Sequence, residues 1–434
     1  MADLDSEFGF LAASAKRSID LLRAYPEQTS IKADERGSAL RGHIEYTLAG
    51  VESKLQDAAV NFPAATPSEQ AEYVKRARLL NSLVRFMHRS VPWVSQAATP
   101  SLALGALYFI DELGERICGM RLDAVPNAAD EYSTERWPFQ PLFKDLGLAV
   151  QSGPRPVVLN FPRLESASHL LLPIYAHEVG HTAVWETAIL QDVIDAHSSE
   201  SAFSAAFNKA RDDTAASAKI SQREAGYILA WRLNAWTTEM LCDQCAIQAL
   251  GPSYLYAFAW FLLSESWDEP GERHPPTCVR VAHMLDYLAG SGWSASVETD
   301  IPAISSWLKD QVAATSAKQP DAATSFLLAA MHEMRPTIRE HTAKQLGASV
   351  YLPSEFAPEA SVISELTRYD TLPAQRHDGG PLDRRAIILS AWLSVLEADD
   401  QPATLANALG DVRTQAFFAK AIEMSALLAA WSQP

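Results

Sequence analysis

The sequence predicts a mainly α-helical protein with a small β-sheet, an α+β fold. Three observations predict it. Apolar residues recur at three- and four-residue spacing through most of the chain, and only one short segment has the composition of a strand. Apolar residues make up 48% of the 434 residues, which is enough for a large buried core. A chain of this length is expected to form two or three lobes.

The first third of the chain predicts helices. Ile44, Leu48, Val51 and Leu55 recur at three- and four-residue spacing, and prolines mark the turns between such segments. We therefore expect a helical N-terminal lobe over residues 1–125.

The middle of the chain begins with the one predicted strand. Residues 156–161 read Pro-Val-Val-Leu-Asn-Phe, a β-branched and aromatic run bordered by glycine and proline. Helical periodicity returns from Leu170 to about Ala289, and the turn-rich segment 290–294 follows. These patterns predict a core at 126–290 and a helical C-terminal lobe at 291–434, which ends in an amphipathic helix near Asp411 to Trp431.

Net charge and hydropathy exclude some classes of partner. The formal net charge is −17, which disfavours nucleic acid and anionic membranes as main partners. The longest apolar runs, Tyr254 to Leu263 and Ser101 to Ile110, are half the roughly 20 residues that cross a bilayer, so we expect buried helices. The first residues lack the features of a secretory signal, which predicts a cytoplasmic protein.

The four cysteines predict no disulfide framework, because they are few for so long a chain. The pair Cys242 and Cys245 has redox or zinc-site spacing, but a second pair nearby or a helix-start position is missing. We interpret both as small apolar residues of a buried helix.

The segment from His177 to His181 reads His-Glu-Val-Gly-His, an H-E-x-x-H pattern. Histidines four residues apart lie above one another on a helix, so both imidazoles can reach one zinc ion. Glu178 lies about 100° around the helix, close enough to contact a water at the metal. The apolar residues 170–176 are expected to bury the first turns of this helix.

A catalytic zinc usually has a third protein ligand. Glu186 lies five residues after His181, and a helix would rotate it about 140° away. Glu239 is the better candidate because Asp243 shares its helix face. Glu239 can then bind the metal, while Asp243 accepts the free imidazole N–H of a ligand histidine.

This arrangement, H-E-x-x-H followed by Glu239-Met-Leu-Cys-Asp243, resembles the H-E-x-x-H…E-x-x-x-D pattern of gluzincin metallopeptidases. The resemblance covers roughly residues 157–286. It implies a zincin-like catalytic core flanked by helical lobes, with zinc on His177, His181 and Glu239. It also implies Glu178 as the general base and Asp243 as support behind a ligand. The long gap before Glu239 predicts an inserted helical hairpin around residues 192–222.

A gluzincin site also needs a donor for the oxyanion of the tetrahedral intermediate. His274 is the first choice, although a histidine before Pro275-Pro276 could equally serve only as a local helix cap. Tyr254 and His283 are weaker candidates, each more typical of a packed core residue.

The resemblance implies a zinc peptidase that hydrolyses peptide bonds of a protein substrate, and the helical lobes leave room for gating by a regulatory partner or signal. The alternative is a catalytically silent zinc-containing helical protein that binds a partner. The position of the strand just before the motif leads us to expect a sheet edge at Val157 to Phe161, along which an extended peptide pairs.

Overall fold

The computed structural model describes most of the chain. The residues described are 4–28, 35–98, 104–120, 122–129, 132–136, 146–148, 155–162, 168–263, 266–294, 301–315, 320–397, 404, 407–410 and 412–431. The fold is mainly α-helical with one small mixed sheet in these ranges, as the sequence predicts.

The chain forms two compact units. The N-terminal unit contains Met1–Leu102 and Arg121–Ser166, and the C-terminal unit contains Ala103–Met120 and Ala167–Pro434. The predicted three-part division, with boundaries at 125 and 290, does not coincide with these units. The predicted division follows the order of the sequence, whereas each observed unit combines two segments that are separated in the sequence.

The N-terminal unit packs three long helices with a three-stranded sheet. The helices are α1 (Leu4–Gln28), α2 (Glu35–Asn61) and α3 (Pro67–Ala98), and the strands are β1 (Leu122–Ala129), β2 (Ser133–Arg136) and β3 (Arg155–Pro162). Their apolar faces form one core, in which Phe8 stacks on Phe62 with ring centroids 4.6 Å apart. The prediction of helices in this part of the chain is confirmed.

The predicted strand is present as β3, but it lies in the centre of the sheet. It pairs in parallel with β1 along its whole length and antiparallel with β2 at residues 157–160. Asn160 bonds to both neighbours, accepting from Asn127 and donating to Ser133. The expectation of a free peptide-binding edge at Val157 to Phe161 is therefore wrong, because the segment pairs with β1 throughout and with β2 at residues 157–160.

The sequence did not reveal the two flanking strands. Strand β1 contains Pro126, which lowers its β-propensity, and proline is tolerated there because β1 is at the edge of the sheet. Strand β2 is short and polar, and its pairing with β3 depends on the chain folding back.

Helices make up most of the described residues of the C-terminal unit. Its helices are α4 (Leu104–Cys118), α5 (Ile174–Glu186), α6 (Ile189–Ser198), α7 (Ser201–Ala218), α8 (Gln222–Leu250), α9 (Pro252–Phe261), α10 (Thr277–Gly290), α11 (Pro302–Thr315), α12 (Ala322–Leu346), α13 (Pro353–Arg368), α14 (Arg384–Leu396) and α15 (Val412–Trp431). Helices α6 and α7 are the predicted hairpin between the motif and Glu239. The two apolar runs form α4 and α9, and the predicted last helix is α15.

Helix α5 is set into the core of this unit. Residues 170–176 are buried, as expected, and Trp392 of α14 donates a hydrogen bond to the carbonyl of Leu170 at 2.9 Å. Helix α8 crosses α5 at Gly180, where an added Cβ would lie 3.0 Å from the Cα of Cys242. Glycine therefore lets the two helices approach closely enough for their side chains to meet at one site.

Two further expectations concern the cysteines and the membrane. All four cysteines are described, and each is a buried free thiol, which confirms that none forms a disulfide. Within the described ranges, none of the helices combines the length and the apolar character that a membrane span requires.

Candidate metal centre

Helix α5 brings its three motif residues together. His177 and Glu178 are buried, and the side chain of His181 is 16% exposed. One ligand atom from each of the three lies within 4.8 Å of the other two. The i, i+4 spacing thus places both imidazoles on one face, with rings 4.9 Å apart.

Glu239 of α8 faces both histidines. Its Oε2 lies 3.3 Å from Nε2 of His177, and its Oε1 lies 3.6 Å from Nε2 of His181. The fold therefore brings Glu239, the residue chosen from the sequence, beside the motif, although it lies about sixty residues further along the chain. Glu186 ends α5 and interacts electrostatically with Cys118 of α4.

Asp243 lies one turn further along α8 and contacts the opposite nitrogen of His177. Its Oδ1 is 2.9 Å from Nδ1 of His177, and its side chain is fully buried. A carboxylate at Nδ1 holds a proton there, so Nε2, which faces Glu239, is the nitrogen that would bind a metal. Because Glu239 and Asp243 are four residues apart on α8, they contact the two opposite nitrogens of the same imidazole.

Asp243 is held by Arg280, to which the sequence gave no role, and by Tyr254, which the sequence offered only as a weaker oxyanion donor. Arg280 of α10 donates from Nε and Nη2 to the two oxygens of Asp243 at 2.6 and 2.7 Å, and Tyr254 of α9 donates to Oδ1 at 2.6 Å. Arg280 also lies 3.4 Å from Oε2 of Glu239, and its guanidinium packs 4.6 Å over the ring of Phe258. Asp243 is therefore a fully satisfied buried charge.

A sequence signal for Arg280 does exist. It stands in the apolar run Cys278 to Leu285, where an arginine is rarely buried unless it has an acidic partner. The run does not say which acid is the partner. Tyr254 gave no comparable signal, since a tyrosine in an apolar helix is an ordinary core residue.

The charges of the site follow from these contacts. Burial raises the pKa of Glu239, but the contact with His177 and the charge of Arg280 outweigh it and lower the pKa to about 2. Burial also opposes ionisation of Asp243, yet Arg280 holds the pKa of this carboxyl well below its usual range. Both acids are therefore carboxylates at neutral pH.

The pKa values of the two histidines shift in opposite directions. Burial lowers the pKa of His177, but the hydrogen bond to Asp243 and the contact with Glu239 raise it to about 10. Burial and the charge of His177 lower the pKa of His181 to about 4. In the absence of a metal, one shared positive charge at His177 thus partly balances the two carboxylates.

The donor set fits a zinc ion. Oε2 of Glu239 is buried and accepts no hydrogen bond from any described residue, although nitrogen atoms surround it. Four ligands at about 2.0–2.2 Å in a tetrahedron lie roughly 3.4 Å apart. The Glu239 oxygens lie 3.3 and 3.6 Å from the two Nε2 atoms, which is close to that separation.

His274 lies at the edge of this cluster. Its Nε2 is 3.7 Å from Oε2 of Glu239, and its side chain is 58% exposed. Helix α10 starts after its N-cap Pro276, which makes no side-chain cap hydrogen bond. Burial lowers the pKa of His274, which favours the neutral ring.

The other two oxyanion candidates lie in the core. Tyr254 is fully buried and donates to Asp243, and burial with the charge of Asp243 raises its pKa well above the usual range. His283 is fully buried on α10. Of the three histidine and tyrosine candidates, His274 is the one whose side chain reaches both solvent and Glu239.

No family model matches the chain, and comparisons with curated proteins and with solved structures find no similar protein. The geometry of this site is therefore the basis on which a function can be assigned.

Proposed function

We propose that the chain is a zinc-dependent peptidase of the gluzincin type that hydrolyses peptide bonds of a protein substrate. The observation that carries this proposal is the convergence of His177, His181 and Glu239, with Asp243 behind the first histidine. Three ligands that leave a position open are typical of catalytic zinc, whereas structural zinc usually has four protein ligands.

His177, His181 and Glu239 would hold the zinc ion, which would supply a Lewis acid for a bound water and for the substrate carbonyl. Glu178 accepts the proton of the attacking water and passes it to the leaving amine. Its place next to His177 on α5 and its ligand atom within 4.8 Å of the two histidines support this role.

His274 serves as the donor to the oxyanion. Its exposed ring stands beside the proposed ligands, and a neutral imidazole offers one N–H. Asp243 and Arg280 take no part in bond breaking; they hold His177 and Glu239 in position.

The first experiment compares the wild type with Glu178→Gln. We expect full zinc content by elemental analysis in both, and a loss of cleavage of at least about a hundredfold in the variant, measured on a peptide library from digested cell lysate. Glu186→Gln, on the same helix, is the matched control and should keep both zinc and cleavage. A wild type that holds zinc but cleaves no peptide supports instead the silent, partner-binding alternative.

The second experiment tests the third ligand. Glu239→Ala should lose zinc under dialysis conditions in which the wild type retains it. Full zinc content in this variant would show that another residue completes the site, such as Glu178, whose ligand atom lies within 4.8 Å of those of both histidines.

A further inference from the structure

Arg232 lies two turns before Glu239 on α8. Seven residues turn a helix by about 700°, so the two side chains leave the helix in nearly the same direction, about 10 Å apart along its axis. Arg232 therefore shares the helix face that carries the proposed zinc ligand.

The surroundings of Arg232 leave its charge available. Its guanidinium packs over the ring of Trp236 at 5.4 Å, and its Nε is buried with no acceptor among the described residues. None of the ion pairs in the described part of the chain includes Arg232. Arg280, in contrast, is the same residue type with its donors occupied by Asp243.

Trp236 links Arg232 to His274. The face of its indole carries the guanidinium, and its Nε1 donates to the carbonyl of Gly271 at 3.3 Å. The N–H of Gly271 in turn donates to the carbonyl of His274 at 3.0 Å. Arg232 and Trp236 are thus connected, through backbone groups of Gly271, to the turn that carries His274 beside Glu239.

We infer that Arg232 binds a carboxylate of the peptide substrate, so that it determines specificity in the reaction proposed above, on which this inference depends. A guanidinium that stacks on an aromatic ring keeps its donors in one plane, which suits two-point binding of a carboxylate. The carboxylate is a free C-terminus or an Asp or Glu side chain.

The position of that carboxylate follows from the helix geometry. An extended peptide rises about 3.3 Å per residue, so about 10 Å corresponds to about three residues. The carboxylate should therefore lie about three residues from the peptide bond that is cleaved.

The test uses zinc-loaded Glu178→Gln protein and peptides that the wild type cleaves in the lysate-digest library. Isothermal titration calorimetry compares each peptide as a free acid with its C-terminal amide, and a Glu with a Gln at the third residue from the cleaved bond. The first pair reports a C-terminal carboxylate, and the second reports a side chain. We expect about tenfold tighter binding of the carboxylate form in one of the pairs.

Arg232→Gln in the same background should remove that preference, and Arg232→Lys should keep only part of it, because an ammonium cannot make the planar two-point contact. Arg223→Gln is the matched control, since Arg223 is exposed at the start of the same helix, and it should keep the preference. This inference alone is overturned if peptides that the wild type cleaves bind equally well in their carboxylate and neutral forms. It is also overturned if Arg232→Gln keeps the tighter binding of the carboxylate form. A wild type that cleaves no peptide overturns the proposed function and this inference together.

Discussion

Nδ1 of His177 and Oδ1 of Asp243 lie 2.9 Å apart in a fully buried contact. The contact keeps the imidazole proton on the side away from Glu239, so Nε2 is the nitrogen that a metal would meet. It also fixes the plane of the ring. Asp243 is itself fixed by Arg280 and Tyr254, so three helices determine the orientation of this imidazole.

Replacing Asp243 by Asn should weaken zinc binding by about 10- to 100-fold, because the amide no longer favours the required tautomer and ring orientation. Zinc titration against a competing chelator measures the change. Asp286→Asn is the control, since Asp286 is an exposed partner of Arg339, and its zinc affinity should equal that of the wild type. Equal affinity in both variants would contradict the role given to Asp243.

Replacing Arg280 by Met should destabilise the metal-free protein by about 3–5 kcal/mol, because Asp243 would remain as a buried charge without its cation. Urea unfolding monitored by circular dichroism gives the difference. Arg339→Met removes a partly exposed pair with Asp286 and should cost about 1 kcal/mol or less. Similar losses in the two variants would mean that the buried pair contributes no more than a surface one.

Gly180→Ala should destabilise the C-terminal unit and lower its zinc affinity. The new methyl group would lie 3.0 Å from the Cα of Cys242, and backbone cannot move aside as a flexible side chain can. Overpacking costs about 1–3 kcal/mol, and the better helix propensity of alanine returns up to about 1 kcal/mol.

Thermal unfolding and zinc titration check this prediction. Gly226→Ala on α8 is the control, because its methyl group would meet only the flexible side chain of Arg211, so the change should stay within about 1 kcal/mol. A Gly180→Ala variant as stable as the wild type would show that α5 and α8 can separate without cost.

His283 should make stability depend on pH. It is fully buried, and neither ring nitrogen has a hydrogen-bond partner among the described residues. Burial first, and then the charges of Arg335 and Arg339, lower its pKa to about 3, while Asp243 and Asp286 act in the opposite direction. Between about pH 3 and 6.5, His283 is therefore protonated in the unfolded chain but neutral in the folded one. The contribution of His283 is complete above about pH 6.5 and is lost as the pH falls towards 3.

His283→Leu tests this dependence. Between pH 6 and 4 the unfolding free energy of the wild type should fall more steeply than that of the variant, by up to about 1.4 kcal/mol per pH unit. Met284→Leu, a neighbouring core substitution of similar volume, should keep the wild-type slope. Denaturant unfolding at several pH values measures both, and parallel slopes for His283→Leu and wild type would rule out His283 as the cause.

Much of the site could be predicted from the sequence because its geometry is helical and local. The i, i+4 spacing of His177 and His181 and that of Glu239 and Asp243 each place two side chains on one face, whatever surrounds the helix. The position of Glu186 around α5, turned away from His181, likewise argued against it as a metal ligand. Apolar periodicity predicted most of the helices for the same reason, since it reflects a face that must be buried.

Long-range packing decided the rest. The central position of β3 depends on pairing with β1 and β2, which have weak strand signals of their own. The partner of Arg280 depends on how α10 packs against α8, and the approach of Glu239 to His177 depends on the crossing at Gly180. The sequence by itself determined which residues share a helix face. The tertiary structure alone decided which faces meet, because contacts between distant segments arise from packing of the whole unit and leave little local pattern in the chain.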